Sequence, residues 1–214
     1  MSATTHRRIG PLLPILITVI AILGGLVLLL GRPTLIFTNR LNGPVQLLAG
    51  DATRTVAPGD SVQLRLSRGL GILQWQLTRP RSATGAPMGE DLRGSWVLRA
   101  PRGKLRYAAT GRGDAGDYFA PLVSNETDRL LRITVNAGLE GAIDCGCAVR
   151  PGAHRVFIGY YRLYRNSTVR ATDPAGKTAT FRDLGPEAEA RDWLVGLRFA
   201  NQDFVSAGVP AAGP

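Results

Sequence analysis

Two cysteines separated by a single glycine, Cys145-Gly146-Cys147, form the one motif in this 214-residue chain with latent chemistry. In an extended strand, side chains two positions apart point to the same side, with Cα atoms about 6.5–7 Å apart, which is the limit of disulfide reach. A turn at Gly146 would bring the sulfurs closer, and an oxidising compartment would then favour a disulfide between Cys145 and Cys147. The interpretations are a structural staple or unremarkable thiols, a redox site, and a covalent link to a partner.

A metal site is a further interpretation of the same motif. Two thiolates together with Asp144 and His154 would supply ligands of the kind that bind zinc. The sequence has no Cys-x-x-Cys-His run, which excludes covalent c-type haem attachment. We therefore predict no cofactor and keep Cys145, Cys147 and His154 as candidate metal ligands.

Patterns that would support catalysis are scarce elsewhere. Residues 111–116 match the letters G-x-G-x-x-G, but the residues that follow do not open a helix, as dinucleotide binding requires. Glu90-Asp91 is the only adjacent acidic pair, and it lies in a stretch rich in Gly and Pro. A Ser–His–Asp hydrolase would depend on His154, which has no nucleophile-elbow motif near it. We therefore predict no catalytic residues and a protein that is not an enzyme.

The elements that position these residues are predicted to be strands. Apolar and polar residues alternate most clearly in 61–66 and 72–77, and the runs are bounded by Gly, Pro, Asn or Asp. Alternation indicates antiparallel strands with one buried and one wet face. The other strand-like runs are 34–38, 45–48, 96–98, 105–107, 131–135, 156–164 and 168–171. We predict a mainly β chain with an antiparallel, sandwich-like domain at 32–184, and long surface loops at 78–95 and 99–117.

This β region contains a hint of an internal repeat. The five residues that end at Asn39 resemble the five that end at Asn125, and a Pro-Gly turn follows each segment, at Pro58 and at Pro151. The distance from Asn to Pro is 19 residues in the first copy and 26 in the second, so the second copy carries seven more residues. We place this insertion at the Cys-Gly-Cys loop.

Two related β-units, with repeat halves at 34–110 and 117–184, would explain the likeness. The alternative is that strand–turn–strand segments resemble one another by chance.

The hydrophobic period changes near the C-terminus. Pro186 and two early glutamates are typical of a helix N-terminus. We predict an amphipathic helix at 185–200, with Trp193, Leu194 and Leu197 on the face that contacts a partner. Residues 201–214 are predicted to form an extended or disordered tail.

An apolar run from Ile9 to Gly31 gives the strongest signal in the sequence. None of these 23 residues is charged, and Thr18 is the only clearly polar one. A helix of this length spans about 30–35 Å, enough to cross the hydrocarbon core of a bilayer. The run is longer than the apolar part of a signal peptide, and no small-x-small cleavage site follows it. We predict an uncleaved transmembrane helix at 9–31, preceded by a short cytoplasmic N-terminus at 1–8.

Features within and before the span set its packing and orientation. Gly24 and Gly25 lie in mid-span, where small residues allow a neighbouring helix to approach closely. Arg7, Arg8 and the terminal amine precede the span, which favours a cytoplasmic N-terminus. We therefore predict a single-pass protein of the inner (cytoplasmic) membrane, with its C-terminal domain on the periplasmic or extracellular side.

The charged residues are strongly biased towards arginine. The chain has 26 basic and 16 acidic residues, and 24 of the basic residues are Arg, which is typical of a GC-rich bacterium. No aromatic–basic recognition motif accompanies this charge, so nucleic acid is not an expected partner. Anionic headgroups or an acidic protein surface suit an exported basic domain better.

The layout is similar to that of single-span accessory subunits of bacterial membrane assemblies. We predict a non-enzymatic accessory or structural subunit that stabilises a respiratory, photosynthetic or envelope complex from the exported side. Its expected partners are membrane lipid and other membrane-protein subunits. The alternatives are a membrane-tethered redox or metal-binding protein that uses Cys-Gly-Cys, and a solute- or glycan-binding sandwich that uses Trp75 and Trp96.

Overall fold

The computed structural model describes Val19, Ile22 and residues 33–66, 71–99, 103–139 and 142–204, without the side chain of Ala190. No helix among these residues is long and apolar enough to cross a bilayer. The predicted cytoplasmic segment 1–8 lies outside the described residues. So do the predicted transmembrane helix 9–31, apart from Val19 and Ile22, with its Gly24 and Gly25, and the last part of the predicted tail, 205–214.

Residues 34–109 form a two-layer sandwich, which we call the first unit. One sheet has β1 (Thr34–Asn39) between β4 (Ser61–Arg65), which is antiparallel to it, and β7 (Lys104–Ala109), which is parallel to it. The other sheet is antiparallel throughout and has the order β3-β2-β5-β6. Its strands are β2 (Val45–Ala49), β3 (Ala52–Val56), β5 (Gly71–Leu77) and β6 (Arg93–Leu98).

Residues 116–204 form the second unit, which has the same strand order. Here β9 (Gly116–Asn125) lies between the antiparallel β12 (Val156–Phe157) and the parallel β16 (Leu194–Phe199). The facing sheet has the order β11-β10-β14-β15. Its strands are β10 (Leu131–Val135), β11 (Ile143–Val149), β14 (Val169–Thr172) and β15 (Thr178–Phe181). The remaining elements are β8 (Arg112–Gly113), β13 (Tyr161–Arg162), the helix α1 (Gly185–Ala190) and a 3-10 helix (Asn201–Asp203).

A buried asparagine ends the first strand of each unit. The Asn39 Nδ2 donates to the carbonyl oxygens of Gly43 at 2.8 Å and Val56 at 2.9 Å, and its Oδ1 accepts from the Leu41 N–H at 2.9 Å. These bonds tie the end of β1 to the turn that follows it and to the end of β3.

The bonds of Asn125 repeat this pattern at the equivalent positions. Its Nδ2 donates to the carbonyl oxygens of Arg129 at 2.7 Å and Val149 at 2.8 Å, and its Oδ1 accepts from the Thr127 N–H at 3.0 Å. Both asparagines are fully buried. We call each of them the asparagine latch of its unit.

Each unit has its own hydrophobic core. The first core contains Phe37 and Trp75, and the second contains Phe119, Ile133 and Phe199. The second core continues beyond residue 184, the predicted end of the second repeat half, because β16 contributes to it. The prediction of a mainly β chain with antiparallel sheets is confirmed, and burial alternates along β5 as expected for one dry and one wet face.

The predicted amphipathic helix at 185–200 is wrong in its second half. The helix α1 ends at Ala190, and Asp192 and Trp193 have φ angles of 50° and 69°. Two successive residues in the left-handed region cannot continue a right-handed helix. From Leu194 the chain instead runs parallel to β9, with every second side chain buried.

Three further stretches differ from the sequence prediction. The run 156–164 is not one strand, because Gly159 has a φ of 105° and separates β12 from β13. The predicted loop at 99–117 contains β8 and all of β7, of which only 105–107 was predicted as a strand, and the predicted loop at 78–95 includes the start of β6. These strands carry many polar residues, so their local pattern resembles that of a loop.

A candidate binding groove between the two units

The two units touch through their backbones at Gly89 and Gly159. Their φ angles are 79° and 105°, and a Cβ on Gly159 would lie 2.8 Å from the Cα of Gly89. The Glu90 N–H donates to the Tyr160 carbonyl oxygen at 2.7 Å, and the Arg162 N–H donates to the Glu90 Oε2 at 2.8 Å. The Glu90 of the predicted acidic pair thus holds the units together.

Two consecutive tyrosines reinforce this junction. Tyr160 is buried in the first core and Tyr161 in the second. The Tyr160 hydroxyl accepts from the Asn42 N–H at 3.1 Å, and the Tyr161 hydroxyl donates to the Ile158 carbonyl oxygen at 2.9 Å. Burial raises the pKa of Tyr160 to about 12 and also raises the pKa of Tyr161.

An open groove with a volume of about 440 Å³ lies beside this junction. One wall is the segment 81–88 of the first unit, and the other is the stretch of β11 from Gly146 to Val149. Met88 and Ile158 are apolar and buried in its floor. The groove therefore combines an apolar base with two walls that come from different units.

The rim of the groove is exposed and partly cationic. Arg81 and Arg150 line the groove and are exposed. Leu130 also lines it and leaves 42% of its surface accessible. Because β11 is the outermost strand of its sheet, its pairing within the described residues is with β10 alone.

Both walls arise where the two units depart from each other. The connection between β5 and β6 covers 78–92, whereas its counterpart between β14 and β15 covers only 173–177. The longer connection folds back on itself, since the Ser82 N–H donates to the Ala86 carbonyl oxygen at 2.8 Å. This fold-back forms the first wall.

The second wall comes from the longer hairpin of the second unit. Val45 pairs with Val56 across β2–β3, and Leu131 pairs with Val149 across β10–β11, so the latter hairpin encloses seven more residues. The loop at 136–142 takes five of them, since its counterpart is the two-residue turn at 50–51. The other two form a bulge in β11, where the register shifts between Arg132 and Thr134.

Cys145 and Cys147 are joined by a disulfide at this bulge, with Cα atoms 5.1 Å apart. The turn between them has Gly146 at a φ of 61°, and the Gly146 N–H donates to the Asp144 Oδ1 at 3.0 Å. Cys145 is buried in the second core, whereas Cys147 is half-buried and lines the groove. The bond therefore fixes the shape of one wall.

The structure does not bring the candidate metal ligands together. The two cysteine sulfurs are bonded to each other, and the thiolate is the form that binds a metal. His154 is exposed in the turn after Pro151. Within the described ranges, no three side chains of His, Cys, Asp or Glu form a group that could hold a metal ion.

The predicted partner-contact residues are used inside the chain. Trp193 lies against Gly111, where an added Cβ would come within 2.3 Å of the Trp193 Cγ. Leu197 is buried in the second core, and Leu194 packs against the first. Their helical spacing reflects burial at the junction of the two units.

The aromatic residues proposed for glycan binding also belong to the interior. Trp75 is only 1% exposed. Trp96 is half-buried, with its ring centroid 4.8 Å from that of Tyr107. The Trp75 ring is therefore not available as a stacking surface for a sugar.

Sequence reasoning missed the groove residues Arg81, Met88 and Leu130. Two signals pointed towards them: the seven-residue difference in spacing between the repeats, and the long Gly/Pro-rich stretch in 78–95. Neither signal shows that the two insertions meet. No protein-family model matches the chain, and no curated protein matches it.

Proposed function

We propose that the protein is a non-enzymatic accessory subunit of a bacterial membrane complex, anchored by 9–31 in the inner membrane with both β-units on the periplasmic side. The groove between the units carries this proposal. It is open and concave, and two units joined by backbone hydrogen bonding form its walls. Such a surface suits a binding role.

The lining of the groove favours one kind of occupant. Leu130 and the edge of Met88 offer apolar contact, and Arg81 and Arg150 offer charge at the rim. The outer edge of β11 can accept an extended segment through main-chain hydrogen bonds. The fitting partner is a segment of another subunit that carries apolar side chains and carboxylates.

The disulfide and the apolar run support the proposed location. Disulfides persist in oxidising compartments such as the periplasm, and Cys145 is bonded to Cys147. The run 9–31 has the length and composition of a membrane span. Both features favour β-units that lie outside the cytoplasm.

The mass of the native particle tests the proposal. The full chain, extracted from its own membrane in mild detergent, should elute and weigh as part of a hetero-complex. Arg150→Glu should weaken partner retention about five- to a hundredfold, because a like charge placed against the carboxylates of the partner costs about 1–3 kcal/mol.

A matched variant controls for charge reversal itself. Arg54 is exposed on β3, the counterpart of β11 in the first unit. Arg54→Glu should leave the particle intact. A chain that weighs as a monomer in its detergent micelle would contradict the proposed function, and equal losses in both variants would contradict the assignment of the groove.

A redox role is the second candidate, because Cys147 lines the groove. A partner thiolate would attack the Cys147 Sγ, break the bond to Cys145 and leave Cys145 as the thiolate. A second partner thiolate would resolve the mixed disulfide, so that the partner is oxidised by two electrons and the Cys145–Cys147 pair is reduced. In Cys145→Ser, the Cys147 thiolate should attack the disulfide of the oxidised partner, release one partner thiolate and remain bound to the other sulfur, the reverse of the last step above. The adduct should appear as a reductant-sensitive mass increase on Cys147; no adduct with the oxidised partner would contradict this role.

A further inference from the structure

The start of β1 lies at one end of the first unit, together with the ends of β2 and β4 and the starts of β5 and β7. Thr34, the first residue of β1, pairs with Arg65 at the end of β4 and with Lys104 at the start of β7. In the facing sheet, Ala49 at the end of β2 pairs with Leu73, two residues after the start of β5. We call this region the β1 end.

Three exposed apolar side chains lie near the β1 end. Ile72 and Val97 are 54% and 58% exposed and stand opposite each other on β5 and β6. Leu48, on the neighbouring β2, is 37% exposed and lies diagonal to Ile72. Within 33–204, the only other large apolar side chain exposed among the described residues is Leu130, in the groove.

Basic side chains surround the same end. Arg65 and Lys104 flank Thr34, and Arg99 directly follows β6; all three are exposed. None of them forms an ion pair within the described part of the chain. The sandwich is about 10 Å thick between its sheets. One flat anionic surface can therefore contact the basic and apolar side chains together.

The distance along the chain restricts what can cover this end. If the membrane span ends at Gly31, only Arg32 and Pro33 separate it from Thr34. Three residue steps reach at most about 11 Å, so Thr34 must lie within about 11 Å of the hydrocarbon core, in the headgroup region or directly above it. A protein partner would have to displace lipid to reach it.

We infer that the β1 end docks on the anionic lipid surface, with Leu48, Ile72 and Val97 inserted among the headgroups and Arg65, Arg99 and Lys104 bound to phosphates. This inference rests on the membrane anchor of the proposed function. Apolar side chains supply burial, and each basic side chain contributes about fivefold to the docked population on an anionic surface. Docking would hold the first unit upright on the bilayer.

Labelled full-length chains in nanodiscs test this inference. An environment-sensitive fluorophore is attached to Ile72→Cys, or to Gln76→Cys on the same strand and the same exposed face. Non-reducing conditions leave the Cys145–Cys147 bond unlabelled. In discs that contain phosphatidylglycerol, a headgroup-level lipid quencher should quench the label at 72 but not the label at 76.

Charge removal sharpens this test. Arg99→Gln should lower the docked-to-free ratio about fivefold, and discs of phosphatidylcholine alone should lower it further. Equal quenching at 72 and 76 would overturn the inference. If the label at 72 leaves water only in discs that hold two chains, the β1 end is covered by a second copy of the chain and the inference is overturned.

The anchor has a separate readout. Chains that resist carbonate extraction from the disc while the label at 72 stays in water would overturn docking alone. Chains that are released by carbonate would overturn both docking and the anchor of the proposed function.

Discussion

The two β-units share a framework and differ in two connections. Both place the first strand between an antiparallel and a parallel neighbour, and both close it with an asparagine latch. The first unit lengthens its β5–β6 connection, and the second lengthens its β10–β11 hairpin. Because these two departures line the same groove, the comparison separates the framework that the units share from the parts available for a specific task.

Removing an asparagine latch should lower the stability of its unit more than any other change considered below. Asn39→Leu and Asn125→Leu each remove two buried hydrogen bonds to carbonyl oxygens and one from a backbone N–H, at a cost of about 3 kcal/mol. For a domain of this size the melting temperature should fall by roughly 10 °C. Thermal and urea unfolding would measure both effects.

Asn42→Leu is the control for these variants. Asn42 is exposed, so the change should cost less than about 0.5 kcal/mol. If only one of the two latch variants is destabilised, the units are not equivalent at this position.

Removing the disulfide should have an intermediate effect, confined to the second unit. Cys145→Ala with Cys147→Ala opens a three-residue loop, and chain entropy predicts a loss of about 1–2 kcal/mol. Urea unfolding of the native chain with and without reductant should give a similar difference, while the double variant should not respond to reductant. A double variant as stable as the native chain would show that the bulge needs no covalent bond.

The short β14–β15 turn should give the smallest effect, which is identified by its dependence on pH in acid. Its buried Asp173 accepts hydrogen bonds from the Arg129 Nη1 at 2.7 Å and the Lys177 N–H at 2.8 Å. Burial raises the pKa of Asp173, but these bonds, one from the Ala175 N–H, and the charge of Arg129 outweigh it, so the pKa lies below its ordinary value of 3.8.

A lowered pKa fixes the direction of the pH dependence. The ionised Asp173 stabilises the folded state above pH about 4, and this contribution is lost as the pH falls through the folded pKa. Unfolding midpoints of Asp173→Asn should therefore depend less on pH in this range. Asp51→Asn, in the exposed turn of the first unit, should retain the native dependence; parallel profiles for Asp173→Asn and the native chain would contradict the assignment.

Local pattern predicts those parts of the fold that alternate between apolar and polar residues. The strands β4, β5 and β10 follow from such alternation, because β5 and β10 each bury one face and β4 half-buries one. Strand β3 was missed because four of its five residues are exposed. Strand β16 was predicted as a helix because the spacing of Trp193, Leu194 and Leu197 also fits a helical period.

The groove lies beyond what local pattern can predict. A bond between positions 145 and 147 depends on a spacing of two residues, which the sequence displays. Arg81 and Arg150 line the same groove only because the two units pack against each other. The residues of that contact, such as Gly89 and Gly159, are far apart in the chain. No local period encodes that docking.

Tyr160 and Tyr161 couple the orientations of the two units. The two residues are consecutive along the backbone, and each side chain is buried in a different core. A rotation of one sandwich relative to the other would therefore pull a tyrosine out of its core. We expect the two units to move as one body and not as two independent domains. If the units stand on a membrane as we propose, a segment bound in the groove between them would stay at a constant height above the bilayer.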